Sequence, residues 1–97
     1  MKIAFISAPF RASSDELIKQ NVLDAQELAE KYWKQGYSVI CPNLNSGDGY
    51  LELLEKCDLV VAHPRWQESE GARGEIEFAR KMGIPVVFER TPSKVSF

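Results

Sequence analysis

Apolar and polar positions fall into two kinds of run along the chain, short and continuous or long and periodic. Lys2 to Ser7 (KIAFIS) is a short apolar run ended by Ala8-Pro9. Nonpolar groups on both of its faces predict a buried strand. Ser13 followed by Glu16 reads as a capping box, which opens a helix by satisfying its exposed backbone donors. Leu17, Ile18, Asn21, Val22, Ala25, Leu28, Ala29 and Tyr32 then recur at intervals of three and four, with Lys19, Gln20, Glu27 and Lys31 between them. That spacing predicts one long amphipathic helix with a single inward stripe. Gly36, free to take positive φ, ends it.

Tyr37 to Cys41 is a second predicted strand closed by Pro42, and Asn43 to Gly49 (NLNSGDG) is a polar loop. Residues 50 to 56 form a short helix offering Leu51, Leu53 and Leu54 to a core. Asp58 to His63 is a third strand ended by Pro64. Glu70 to Met82 is a third helix with Ile76, Phe78, Ala79 and Met82 as its apolar set. Gly83-Ile84-Pro85 turns into a fourth strand, Val86 to Glu89, before an irregular tail. Strands alternating with helices at this spacing imply right-handed crossovers and an α/β fold, a parallel sheet covered on both faces. Ligands of such sheets bind at the carboxyl ends of the strands. The loops Ala8 to Ser14, Asn43 to Gly49 and Pro64 to Gly71 should therefore open on one edge.

Length and composition narrow the reading without redirecting it. Ninety-seven residues, 44% of them hydrophobic and 27% charged, suit a single globular domain over residues 1–97. So small a domain leaves apolar surface uncovered, which keeps a homodimer or higher homo-oligomer in view. Twelve basic against 14 acidic residues leave a net charge of −2, with Lys and Arg scattered, so no nucleic-acid partner is expected. Cys41 and Cys57 lack the close pairing of a zinc or redox motif and are expected as buried free thiols. MKIAFIS is too short for a signal peptide, and no apolar run approaches about 20 residues, so no membrane partner and a cytoplasmic location are expected.

The candidate chemistry concentrates in Pro64 to Glu75 (PRWQESEGARGE). Ser69 is placed near a helix N-cap, and Gly71 and Gly74 let another group approach the backbone of the first turn. The free N–H donors and positive dipole end of such a turn favour an anion. Glu75 follows one turn on, where a carboxylate can reach the centre of a small ligand whose anionic end sits on that turn. The plainer alternative has Ser69 only capping the helix and Glu75 solvated and paired with Arg73 or Arg80. Against it stands the cost of glycine inside a helix. Ser7 and Arg11 follow the first strand, and Arg11 would offer a forked donor to a phosphate or carboxylate on the same edge. Trp66 either closes over a nucleobase or shields the core edge. His63 has no second histidine beside it, so it is assigned a strand-end structural role and no metal is expected. Asp58 is expected to bind backbone donors, and Asp48 and Tyr50 to line the pocket.

These residues also carry a resemblance. ISAPFR, the long helix, CDLVVAHP and SEGARGEIEFARKMGIPVV together resemble the nucleoside 2-deoxyribosyltransferase-like superfamily over roughly residues 2–89. That superfamily includes deoxynucleoside 5′-monophosphate N-glycosidases and DUF4406 proteins. Its strongest piece here is Ser69-x-Gly71-x-x-x-Glu75 followed by Ala79, Gly83 and Pro85. The resemblance implies a Rossmann-like (flavodoxin-like) domain with a four- to five-stranded parallel sheet, no cofactor, and a nucleotide or nucleoside substrate. It gives Glu75 the role of nucleophile toward the anomeric carbon, and Ser69, Gly71 and Arg11 the grip on a 5′-phosphate. Ser7, Tyr50 and Trp66 complete the expected substrate contacts. Family enzymes place a second carboxylate where this chain has Tyr50, so Asp48, or Glu52, has to substitute for it. The glycine-rich grip of the first loop is replaced by Ala8-Pro9-Phe10. The expected function is an N-glycosidase or deoxyribosyltransferase-like enzyme; the alternatives are a non-catalytic nucleotide-binding or sequestering module of the same fold and a domain for protein contacts.

Overall fold

The structure, a computed structural model, describes residues 2–9, 13–41 and 50–90, the side chains of Tyr50 and Leu51 excepted. Among the described residues four strands alternate with three α-helices: β1 (Ile3–Ser7), α1 (Asp15–Lys34), β2 (Ser38–Ile40), α2 (Tyr50–Glu55), β3 (Leu59–Ala62), α3 (Glu70–Met82) and β4 (Val86–Phe88). A 3₁₀ turn, Trp66–Glu68, lies between β3 and α3. The strands form one parallel sheet in the order β2-β1-β3-β4. Ala4 lies beside Leu59 and Ser7 beside Ala62, so β1 and β3 end level with each other at the sheet centre.

The continuous apolar runs of the two central strands are explained by burial on both faces. Ala4, Ile6, Leu59 and Val61 pack with Ala25, Leu28 and Tyr32 of α1. Phe5, Val60 and Ala62 point the other way, onto Leu54 of α2 and Ile76 and Ala79 of α3. Each fully buried Phe, Ile or Val of these strands contributes about 1.5 to 3 kcal/mol of transfer free energy. The edge strands are only partly covered, and Val87 and Phe88 of β4 are exposed.

Helix ends are set by local chemistry. Ser14, in extended conformation, caps α1 by accepting from Leu17 N–H at 3.2 Å. The cap is thus Ser14 and not Ser13, because the third donor of the helix is the one it reaches, and Glu16 falls a position too early to close a box. The register leaves Leu17 exposed, while Asp24 joins the buried stripe. Gly36 at φ 96° and Gly83 at φ 76° turn the chain out of α1 and α3 in the left-handed region. Behind Gly83, Ile84 N–H reaches back to Ala79 O at 2.9 Å.

Leu53 and Met82, expected in the core, are exposed, since α2 is short and presents Leu54 to the sheet and Met82 sits in the last turn of α3. Asp58 flanks β3 and its carboxylate accepts from Ile3 N–H at 2.8 Å, tying the starts of two strands together. Cys57 is buried and Cys41 partly so, both as free thiols. Among the described residues no helix is long and apolar enough to cross a membrane.

Candidate active site

From β1 the chain crosses to β2 on one side, and from β3 it crosses to β4 on the other. The carboxyl ends of β1 and β3 therefore flank the point where strand order reverses, the usual ligand crevice of an open parallel sheet. Ser7 ends β1 there, and the segment from His63 to Glu75 leaves β3.

Ser69 caps α3, its Oγ accepting from Ala72 N–H at 3.1 Å. Its own N–H donates to Trp66 O at 3.1 Å, so the 3₁₀ turn delivers the cap into place. Gly71 and Gly74 are exposed on the first turns of α3, and neither is needed for packing. A Cβ at Gly71 would meet only Ser69 Oγ, at an ordinary 3.8 Å, and one at Gly74 would meet nothing within 4 Å. Their missing side chains leave the face of the helix start open.

Glu75 turns inward. Its Oε1 accepts from Ser7 Oγ at 2.8 Å, a bond across 68 positions that joins the end of β1 to α3. Ser7 is fully buried, and its Oγ also lies 3.3 Å from Ala72 O. Burial pushes the Glu75 carboxyl above its ordinary value, and the Ser7 bond opposes that in part. Pairing with Arg73 or Arg80 does not occur. Arg73 donates to Gln67 O at 2.6 Å, and Arg80 lies over the Phe88 ring.

Trp66 is partly buried, its ring 5.4 Å from that of Phe88 and packed on the cluster around Phe5 and Ile76. It covers the core edge beside the helix start. Arg11 and Asp48 lie outside the described residues. Tyr50 opens α2, with its side chain outside them.

A buried polar network escaped the sequence reading. His63 is fully buried at the end of β3; its Nδ1 accepts from Arg65 N–H at 3.0 Å, so Nε2 carries the proton and donates to Asn21 O at 3.3 Å. Burial, then the nearby Arg65 charge, pushes the imidazole down to about 4, which keeps it neutral. Arg65 Nε donates to Asn21 Oδ1 at 2.8 Å and its Nη2 pairs with Asp24, which also accepts from Gln20 at 2.9 Å. The turn carrying Trp66 and Ser69 is thereby anchored to α1. One signal was legible: Asp24 sits three residues after Asn21, inside the inward stripe, where a carboxylate needs a partner. Among the described residues no three His, Cys, Asp or Glu side chains group to hold a metal.

Fold and site together define a small parallel α/β protein with a partly buried carboxylate at the point where strand order reverses. A family model described as a domain of unknown function, DUF4406, matches residues 15–88, and the chain belongs to that family. Comparison with curated proteins and with solved structures gave no significant match.

Proposed function

We propose that the chain is a Rossmann-like (flavodoxin-like) enzyme that breaks the glycosidic bond of a deoxynucleotide or nucleoside, with Glu75 as nucleophile. One observation carries the reading. Glu75, a carboxylate one turn inside α3, is only partly exposed and is drawn against the end of β1 by Ser7 at 2.8 Å rather than ion-paired. A helix residue with only a surface role has no reason to bear that desolvation. The strand order β2-β1-β3-β4 agrees with the flavodoxin-like order and its ligand crevice between the first and third strands.

In this reading the phosphate sits on the start of α3, against Ser69, the open face at Gly71 and, from the first loop, Arg11. The dipole and N–H groups there favour the dianion and set the sugar over Glu75. A Glu75 oxygen bonds to the anomeric carbon as the bond from that carbon to the base nitrogen breaks, the electron pair leaving with the base. The departing base takes up a proton, with Asp48 as the candidate source. Water, or a second base, then attacks the anomeric carbon, giving up a proton to the Asp48 carboxylate, as the bond to Glu75 breaks and its carboxylate is restored. Trp66 or Tyr50 supplies the wall against which the base stacks.

Incubation with each of the four common deoxynucleoside 5′-monophosphates and with the matching deoxynucleosides, followed by chromatography for free base, tests the proposal. Release by the native chain and its loss in Glu75→Gln are expected. Release that persists in Glu75→Gln, or no release from any of the four or from the matching deoxynucleosides, overturns it.

A further inference from the structure

The Ser7 hydroxyl has one proton and two acceptors within reach, Glu75 Oε1 at 2.8 Å and Ala72 O at 3.3 Å. Both lie on the same turn of α3, and Ser7 itself is sealed from water. We infer that Ser7 is a positioning residue for Glu75, a two-position hydroxyl that follows the charge on that carboxylate. With Glu75 ionised, the proton points to Oε1, the shorter and charge-assisted bond. With Glu75 neutral, as an acid or as an ester to a sugar, it turns to Ala72 O, whose carbonyl has a second lone pair to accept it.

In the neutral acid form the Glu75 O–H can in turn donate to Ser7 Oγ. Neither state then leaves the buried Ser7 hydroxyl without a partner, which is the condition for cycling the partly buried carboxylate beside it between charged and uncharged forms. Ser7 keeps its proton throughout and forms no covalent bond. Its effect is to hold Oε1 in one place and to favour the ionised form, the form that attacks and the form that leaves.

No charged group competes for Glu75 among the described residues, as it makes no ion pair. Facing α3, β1 presents Ser7 and Phe5, and β3 presents Val60 and Ala62. The charged residues of neighbouring elements, Glu52, Glu55 and Lys56 on and after α2, Glu68 on the 3₁₀ turn, and Glu70, Arg73 and Glu77 on α3, are all exposed. Water screens them, so Ser7 is the polar group with direct hold on the carboxylate.

The inference rests on Glu75 being the reacting group, but its test needs no substrate. The Glu75 carboxyl carbon is titrated by NMR in the native chain, Ser7→Ala and Ser7→Cys. Loss of the donor is expected to move the titration up by about one pH unit, about a tenfold change in the ionisation constant. Cys, a weaker donor of similar shape, should move it part of the way. By linkage, the folding equilibrium constant lost in Ser7→Ala should be about tenfold greater at pH 8 than at pH 4. A hydroxyl that merely staples β1 to α3 predicts equal loss at both pH values and an unmoved Glu75 titration in folded Ser7→Cys or Ser7→Ala. That result overturns the inference, whereas failure to release base in the earlier experiment leaves this titration standing as measured.

Discussion

Removing the Arg65 charge should cost far more than an ordinary surface ion pair. Asp24, its partner, is 3% exposed at the side chain and Arg65 20%. In Arg65→Met the aliphatic stem is kept while both guanidinium bonds vanish, the one to Asn21 Oδ1 at 2.8 Å and the one to Asp24. Asp24 keeps only Gln20, a neutral donor at 2.9 Å, so a carboxylate is left buried without its counter-charge. That situation costs about 3 to 5 kcal/mol, against about 0.2 to 1 kcal/mol for an exposed pair. For a chain of this length each kcal/mol lowers the melting midpoint by about 4 to 8 °C, so the drop should reach at least about 12 °C. Urea unfolding followed by circular dichroism measures the free-energy loss, and thermal unfolding measures the drop. Arg65→Met with Asp24→Leu removes both charges and should recover the part of the loss due to the unpaired carboxylate, leaving about 1 to 3 kcal/mol for the buried Asn21 Oδ1 that has lost its donor. A loss below about 1 kcal/mol in the single variant would show the pair to be solvent-screened and refute the reasoning.

Other expectations follow from the same physics. Burial raises the Glu75 carboxyl, so the native state binds that proton more tightly than the unfolded chain. Stability associated with it is therefore present at acid pH and falls as pH rises through the raised value. Glu75→Gln should accordingly melt higher than the native chain at about pH 8 and level with it at about pH 4; an equal difference at both pH values would contradict the burial argument. Burial acts to raise Glu89, but hydrogen bonds from Tyr32 at 2.5 Å and Lys31 at 2.9 Å outweigh it and hold the carboxyl low. Tyr32→Phe should cost about 1.5 to 3 kcal/mol near neutral pH and progressively less as acid protonates Glu89, read by urea midpoints across pH. Ser69→Ala removes the α3 cap and should cost about 0.5 to 2 kcal/mol, while a Ser69→Asp cap should restore stability but repel a phosphate, read as a lost thermal shift with deoxynucleotide.

What was legible in the chain is what depends on neighbours in sequence. The bounds of α3 were readable because Ser69, the apolar set at three- and four-residue spacing and Gly83 all lie within one short segment. The start of α1 slipped by one residue because Ser13 and Ser14 both satisfy a cap rule, and only backbone geometry decides which oxygen meets the Leu17 N–H. Glu75 was readable as a carboxylate one turn inside a helix, yet its attachment to Ser7 was not, since nothing local links residues 68 positions apart. That contact exists because β1 lies beside β3, a property of the sheet order. The same holds for Arg65 and Asp24, 41 positions apart, which meet only because the segment leaving β3 packs against α1.

The most direct test of Glu75 as nucleophile is mass spectrometry of the chain quenched during reaction with a deoxynucleoside 5′-monophosphate, followed by peptide mapping. A phosphodeoxyribosyl adduct is expected on the peptide holding Glu75 and absent in Glu75→Gln. Base release with no adduct on that peptide, or an adduct on another carboxylate, would contradict it.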